Sequence, residues 1–157
     1  MSGDPDIAPA PESEQERLAR LANLLFHAAR QGDVGLLREA TSAGAPPDLT
    51  NQNGDSLVML AAYYGHAEAV EVLLQAGALV DQINDRGQTP LSGATFKGYA
   101  DVVETLLRFG ADPGGGSPPP VSVAVMFGRE DLLALFEAQQ RPRPDAGAED
   151  GGTSGRG

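Results

Sequence analysis

NDRGQTPLSGATFKGYADVVETLLRFGADP, residues 84–113, is the stretch that decides the fold. Thr89 followed by Pro90 predicts a helix start, because a threonine hydroxyl can accept hydrogen bonds from free N–H groups and proline suits the first helical position. Gly98 and Gly110 predict two helix ends, since glycine adopts the left-handed conformation without strain. The stretch is therefore predicted to form two short helices.

Glycines recur along the chain with a period of 33 residues. One series comprises Gly32, Gly65 and Gly98, and a second comprises Gly44, Gly77 and Gly110. Gly128 continues the first series after 30 residues. Two series with one period indicate a repeat array of helix pairs, in which each unit packs only against its neighbours.

Each unit also carries an apolar stripe on its predicted second helix. The stripes are Leu36, Leu37 and Ala40; Ala69, Val70, Leu73 and Leu74; Val102, Val103, Leu106 and Leu107; and Leu132, Leu133 and Phe136. The first unit begins differently: Ser13 and Glu16 predict a capping box. An apolar face of Leu18, Leu21, Ala22 and Leu25 then predicts a long first helix.

The segments NDRGQTPLSGA and YYGHAEAVEVLLQAGALVD resemble the ankyrin motif, and the resemblance covers about residues 20–138. It implies an all-α solenoid of helix pairs joined by β-hairpin-like fingers. We expect repeats at about 13–50, 51–83, 84–113 and 114–138. Ser92 and Met59 replace the motif's histidine, which puts its usual bridge between fingers in doubt. The last finger, GGGSPPP, is three residues short and is expected to be irregular.

Composition sets further bounds. Residues 1–12 and 139–157 are poor in large apolar residues and are predicted to be disordered tails. The net charge of −11 disfavours nucleic acid and anionic membranes as partners, although acidity also serves solubility alone. The chain has no cysteine, and neither a signal peptide nor a membrane span is recognisable, so we expect a cytoplasmic protein. Ten of the eleven basic residues are arginine, which suggests a G+C-rich bacterial origin.

Motifs for chemistry are missing from the sequence. The run Gly114–Gly116 precedes prolines and opens no phosphate-binding loop, and no nucleophile elbow occurs. His27 and His66 are too few and too far apart for a metal site or a triad, and we interpret His27 as packed and His66 as supporting a turn. We therefore expect no enzyme activity, no cofactor and no metal.

The resemblance implies instead that a partner meets the concave face, made by finger tips and the exposed sides of first helices. Two ladders of equivalent helix positions face it: Arg30, Tyr63, Phe96 and Met126, and Gln31, Tyr64, Lys97 and Phe127. The fingers add Gln52, Asn53, Asp55, Asp85, Arg86 and Gln88. Stacking is expected to gather the four aromatic residues into one patch, either as an interface or as packing beneath the fingers.

The sequence thus predicts a protein-binding module that is monomeric when alone and acts as an adaptor, inhibitor or regulator of another protein. A structural subunit of a homo-oligomer or an obligate complex is the alternative. Fold alone does not identify the partner.

Overall fold

The structure, a computed structural model, describes residues 10–140 of the 157-residue chain. Within this range it contains the helices α1 (Glu14–Gln31), α2 (Val34–Ser42), α3 (Leu57–Tyr63), α4 (Ala67–Gln75), α5 (Pro90–Lys97), α6 (Ala100–Arg108), α7 (Pro120–Met126) and α8 (Glu130–Gln140). The described residues form no sheet, only an isolated antiparallel bridge between Thr50 and Ser56. The predicted all-α fold is confirmed. The predicted disorder of the tails concerns mainly residues 1–9 and 141–157, which lie outside the described range.

The start and end of α5 follow the local sequence signals. The Thr89 hydroxyl accepts a hydrogen bond from the Ser92 amide at 3.1 Å, and the Ser92 hydroxyl accepts one from the Thr89 amide at 3.0 Å. Pro90 occupies the first turn, and Gly98 ends the helix with φ 80°. Ser92, which stands where the motif has histidine, thus caps its own helix.

Helix α1 is more than twice as long as α3, which packs beside it. It begins with the predicted capping box of Ser13 and Glu16. Leu25 is fully buried, but Leu18 is 59% exposed and Leu21 37% exposed. The predicted long first helix is confirmed, but the first part of its apolar face is exposed, because α1 extends beyond the helices that could cover it.

The helices stack in two rows. The first helices follow one another in the order α1, α3, α5 and α7, and the second helices in the order α2, α4, α6 and α8. Each predicted unit holds one helix pair, although α8 continues two residues beyond the expected boundary at Ala138. The stripes of the second helices supply the centre of the core, where Leu37, Leu73, Leu106 and Leu132 are all fully buried.

A recurring contact joins neighbouring units where each second helix begins. The residue after the glycine of one unit faces the equivalent glycine of the unit before it: His66 faces Gly32, and Tyr99 faces Gly65. A Cβ on Gly65 would lie 3.1 Å from the Tyr99 ring. The His66 Nε2 donates to the Arg30 carbonyl at 2.9 Å. His66 thus supports a turn, as expected, and the turn belongs to the preceding unit.

The loops after the second helices are joined by a second recurring contact. An Asp48 carboxylate oxygen accepts a hydrogen bond from the Leu79 amide at 3.0 Å, and 33 residues later Asp81 accepts one from the Asp112 amide at 3.2 Å. Partial burial raises the pKa of the Asp81 carboxyl, and the nearby Asp112 charge adds to the rise, while the hydrogen bond opposes it.

Candidate functional site

The fingers and the ends of the first helices share one side of the molecule. Residues 51–55 and 84–88 form the two regular fingers, each closed by a backbone hydrogen bond of 3.0 Å between its first and last residues. One pocket is lined jointly by finger residues Asp55 and Arg86 and by α3 residues, including Tyr63. We use the name inner face for the fourteen predicted site residues of the two ladders and the fingers, four of which (Asp55, Tyr63, Tyr64 and Arg86) line this pocket.

Aromatic side chains on the inner face form two edge-to-face pairs. The ring centroids of Tyr63 and Tyr64 are 5.7 Å apart at an interplanar angle of 82°, and those of Phe96 and Phe127 are 5.5 Å apart at 75°. The Lys97 Nζ lies 5.1 Å from the Tyr63 ring centroid, over the first pair. The four aromatics expected in one patch thus form two separate edge-to-face pairs.

These aromatics are not packed beneath the fingers, with the partial exception of Tyr63. Tyr64 is 48% exposed, Phe96 53% and Phe127 51%, whereas Tyr63 is half-buried. Met126 is exposed next to Phe127. Clusters of large apolar side chains exposed to water commonly mark interaction sites.

The two regular fingers are joined by a buried side chain that sequence reasoning missed. The Asn84 Nδ2 donates to the Asp55 carboxylate and to the Gln88 side-chain oxygen, each at 2.9 Å. The Asp85 amide also donates to the Asn53 carbonyl at 3.1 Å. The bridge that the motif's histidine usually supplies is therefore present here in another form. The recurrence of Asn51 and Asn84 at the 33-residue period is the sequence signal that could have shown it.

The remaining predicted residues are distributed unevenly over the inner face. Gln31, Gln52, Asn53, Asp85 and Arg86 are exposed, whereas Arg30, Asp55 and Gln88 are half-buried. The side chains of Asp55 and Gln88 already accept hydrogen bonds from Asn84, so they are less available to a partner than the exposed group.

The last finger, GGGSPPP at residues 114–120, is irregular up to Pro120, where α7 begins, as its shortened sequence predicts. Its Ser117 amide donates to the Gly87 carbonyl of the preceding finger at 2.9 Å, so it is still joined to the array. It places no charged side chain beside α7, which leaves this end of the inner face apolar.

The described residues show little that could support chemistry. His27 is exposed on α1, and the expectation that it packs is wrong, because α1 is the first helix of the described residues and is covered there by α2 and α3 alone. Between residues 10 and 140 no three histidine or carboxylate side chains converge as metal ligands would. No helix in the same range combines the length and the apolar character needed to cross a bilayer.

The architecture defines a class: a stacked array of helix pairs joined by short fingers. Comparison with known families gives the same result, since the model of ankyrin repeats, in three copies, matches residues 25–115. The chain belongs to the ankyrin-repeat family. The structure shows a fourth helix pair, α7 and α8, beyond the matched region. Ankyrin repeats are generally protein–protein interaction modules, and the family is typically non-catalytic.

A bacterial relative supports the assignment. The chain is 43% identical over 65 residues to an ankyrin repeat protein of Pseudomonas aeruginosa. The alignment covers 41% of this chain and 37% of the relative, so the shared region is little more than a third of that protein.

Proposed function

We propose that this protein is a non-catalytic binding module of the cytoplasm, monomeric when alone, which uses its inner face to act as an adaptor, inhibitor or regulator of another protein. The observation that supports the proposal is the exposure of Tyr64, Phe96 and Phe127 at positions fixed by the repeat. Aromatic residues of this kind supply most of the energy in protein interfaces when a partner removes them from water.

The register of the array explains why these residues face outward. Tyr64, Lys97 and Phe127 each precede the glycine that follows a first helix, so the same backbone geometry directs all three to the same side. Their positions therefore do not depend on a flexible loop. A surface fixed in advance loses less conformational entropy when a partner binds.

Truncation of the aromatics tests the proposal. Affinity capture from a lysate of the source organism, with mass spectrometry, identifies the partner, and calorimetry then measures its affinity for each variant. Tyr64→Ala and Phe127→Ala are each expected to weaken binding by about 2 kcal/mol, roughly thirtyfold, because each removes a buried anchor from the complex. Stability should change by about 1 kcal/mol or less, since both side chains are half exposed in the free protein.

Leu106→Ala is the matched control, because Leu106 is fully buried in the core. It is expected to lower the free energy of unfolding by about 2–5 kcal/mol while leaving the affinity of the folded fraction unchanged. The proposal fails if the two aromatic variants melt as early as Leu106→Ala and the folded protein still binds normally. Binding would then belong to the fingers around Asp55, Asp85 and Arg86.

A structural subunit of an oligomer is the second candidate, and the exposed leucines of α1 favour it. Leu18 and Leu21, together with Ala40 and Ala43 of the α2 end, line an apolar groove on the first unit. A second copy that covered this groove would give a stable dimer in light scattering at micromolar concentration. A monomer under the same conditions supports the adaptor or inhibitor role.

A further inference from the structure

Charge is distributed unevenly over the molecule. Residues 10–140 contain 17 acidic and eight basic side chains, a net charge of −9. The inner face departs from this balance, because it carries three cations, Arg30, Arg86 and Lys97, and two carboxylates, Asp55 and Asp85. The inner face, which carries Tyr64, Phe96 and Phe127 exposed, therefore has one cation more than it has carboxylates, although the described residues as a whole are acidic.

The three cations of the inner face have no ion-pair partner among the described residues. Elsewhere, Arg20, Arg108 and Arg129 form ion pairs with carboxylates at 2.6, 3.5 and 2.8 Å, whereas Arg17 and Arg38 form none within the described range. Among the residues that the structure describes, Arg30, Arg86 and Lys97 have no carboxylate within ion-pair distance. Although the described residues hold about twice as many acidic as basic groups, none of these carboxylates neutralises the three cations.

Two of the three cations lie beside the tyrosine pair. Lys97 lies over the Tyr63 ring from α5, and Arg86 lines the pocket beside Tyr63 and Tyr64 from the finger. Arg30 occupies the position equivalent to Tyr63 one repeat earlier. The nearest carboxylate in the pocket, Asp55, already accepts a hydrogen bond from Asn84, which reduces its repulsion of an incoming anion.

We propose that the inner face binds an acidic segment of another protein. An apolar or aromatic side chain of this segment lies between the tyrosine pair and the finger, and carboxylates on either side of it pair with Lys97 and Arg86. This inference rests on the proposed function and specifies the chemistry of the partner. Charged groups around an apolar contact mainly set specificity and the rate of association, so the anchor supplies affinity and the carboxylates select the partner.

Selection from a phage-displayed library of random peptides tests the inference with the full-length chain. The net charge of −11 attracts basic peptides at long range, so enrichment of acidic ones requires a local cause. We expect peptides with aspartate or glutamate next to an aromatic or large aliphatic residue. Lys97→Gln should lower the affinity for these peptides, once synthesised, about fivefold, and added salt should lower it further, because both reduce the local electrostatic attraction.

Arg38→Gln is the charge-matched control. Arg38 is exposed on α2, outside the inner face, and its replacement changes the net charge by the same amount as Lys97→Gln. Peptide affinity should be nearly unchanged by Arg38→Gln if the local cations are responsible. Equal losses in the two variants would show that only the overall charge matters and would overturn the inference.

The Tyr64→Ala variant separates this inference from the proposed function. The selected peptides could lack acidic residues, bind Tyr64→Ala more weakly and bind Lys97→Gln normally. This result would overturn the acidic-segment inference and leave the inner face as the binding surface. Peptides that bind Tyr64→Ala normally, or a selection that yields no binder, would count against both. A fluorescent single-stranded oligonucleotide that bound through Lys97 would also overturn the inference, by making the ligand a nucleic acid.

Discussion

The two regular fingers contain equivalent asparagines, Asn51 and Asn84, that differ in the hydrogen bonds of their side-chain nitrogens. The Asn51 side-chain oxygen accepts hydrogen bonds from the Asn53 and Asp55 amides, and the Asn84 oxygen accepts the equivalent pair from Arg86 and Gln88. These Asx-turn contacts have nearly the same lengths in both fingers, from 2.9 to 3.0 Å. The Asn84 amide nitrogen has in addition its two side-chain partners across and within the fingers.

Because the turn contacts are alike, the contribution of the Asn84–Asp55 bridge to stability can be measured separately from that of the turn. Asn84→Ala is expected to destabilise the protein by about 1–3 kcal/mol, because it removes a buried hydrogen-bonding group and leaves Asp55 without its donor. Asn51→Ala removes only the turn contacts and should cost less. Urea unfolding of both variants gives the comparison, and equal losses would mean that the bridge contributes nothing to stability.

A residue-level pH effect is expected at Asp81. A raised carboxyl pKa means that the folded protein holds the proton more tightly than the unfolded chain, so the ionised group disfavours the fold above that pKa. Asp81→Asn should therefore stabilise the protein at neutral pH. The gain should vanish below about pH 4, where the carboxyl is protonated in both states. Asp48→Asn removes the same charge from the equivalent position and serves as the control in thermal unfolding. The explanation fails if the two variants respond alike at every pH.

At the scale of helices, the sequence was sufficient to predict features that depend on neighbouring residues alone. The caps at Ser13 and Thr89 were predictable because a capping residue interacts within one helical turn. The bridge from Asn84 to Asp55 was not predictable in this way, since it joins two residues 29 positions apart in different fingers. The exposure of Leu18 likewise depends on the relative lengths of α1 and its neighbours. Apolar periodicity alone does not contain that information.

Two leucines of α1 test how far the core extends along this helix. Leu25 is fully buried and Leu18 is 59% exposed, although both belong to the same apolar stripe in the sequence. Leu25→Ala should cost about 2–5 kcal/mol, because it leaves a cavity in the core. Leu18→Ala should change stability by about 0.5 kcal/mol or less, as expected at an exposed site. Similar losses in denaturant unfolding would show that the first turns of α1 are covered in solution.

At the scale of the whole molecule, stability is expected to decrease toward the ends of the array. Helices α3–α6 have neighbours on both sides, whereas α7 and α8 are covered on one side by the described residues. In repeat arrays each unit is stabilised mainly by its nearest neighbours. The predicted position of the aromatic surface follows from the same regularity, whereas the pairing of Phe96 with Phe127 depends on side-chain orientations that the period does not determine.

Amide hydrogen exchange measures this gradient directly. Amides of α4 and α6 should be the slowest to exchange and those of α8 should exchange faster, because the last unit can open without separating two interfaces. Uniform protection along the array would show that the molecule opens only as a whole. Leu132→Ala, in the core stripe of α8, should increase exchange in α8 more than in α4.

The contacts of His66 with Gly32 and of Tyr99 with Gly65 have a consequence for how such a chain lengthens in evolution. Each contact joins residues 34 positions apart. After an in-frame duplication of residues 66–98, the second copy of His66 would therefore face the existing Gly65, and Tyr99 would face the first copy of Gly98. Both junctions would again pair a side chain with a glycine. A single genetic event could therefore extend the array, and its inner face, without the invention of a new interface.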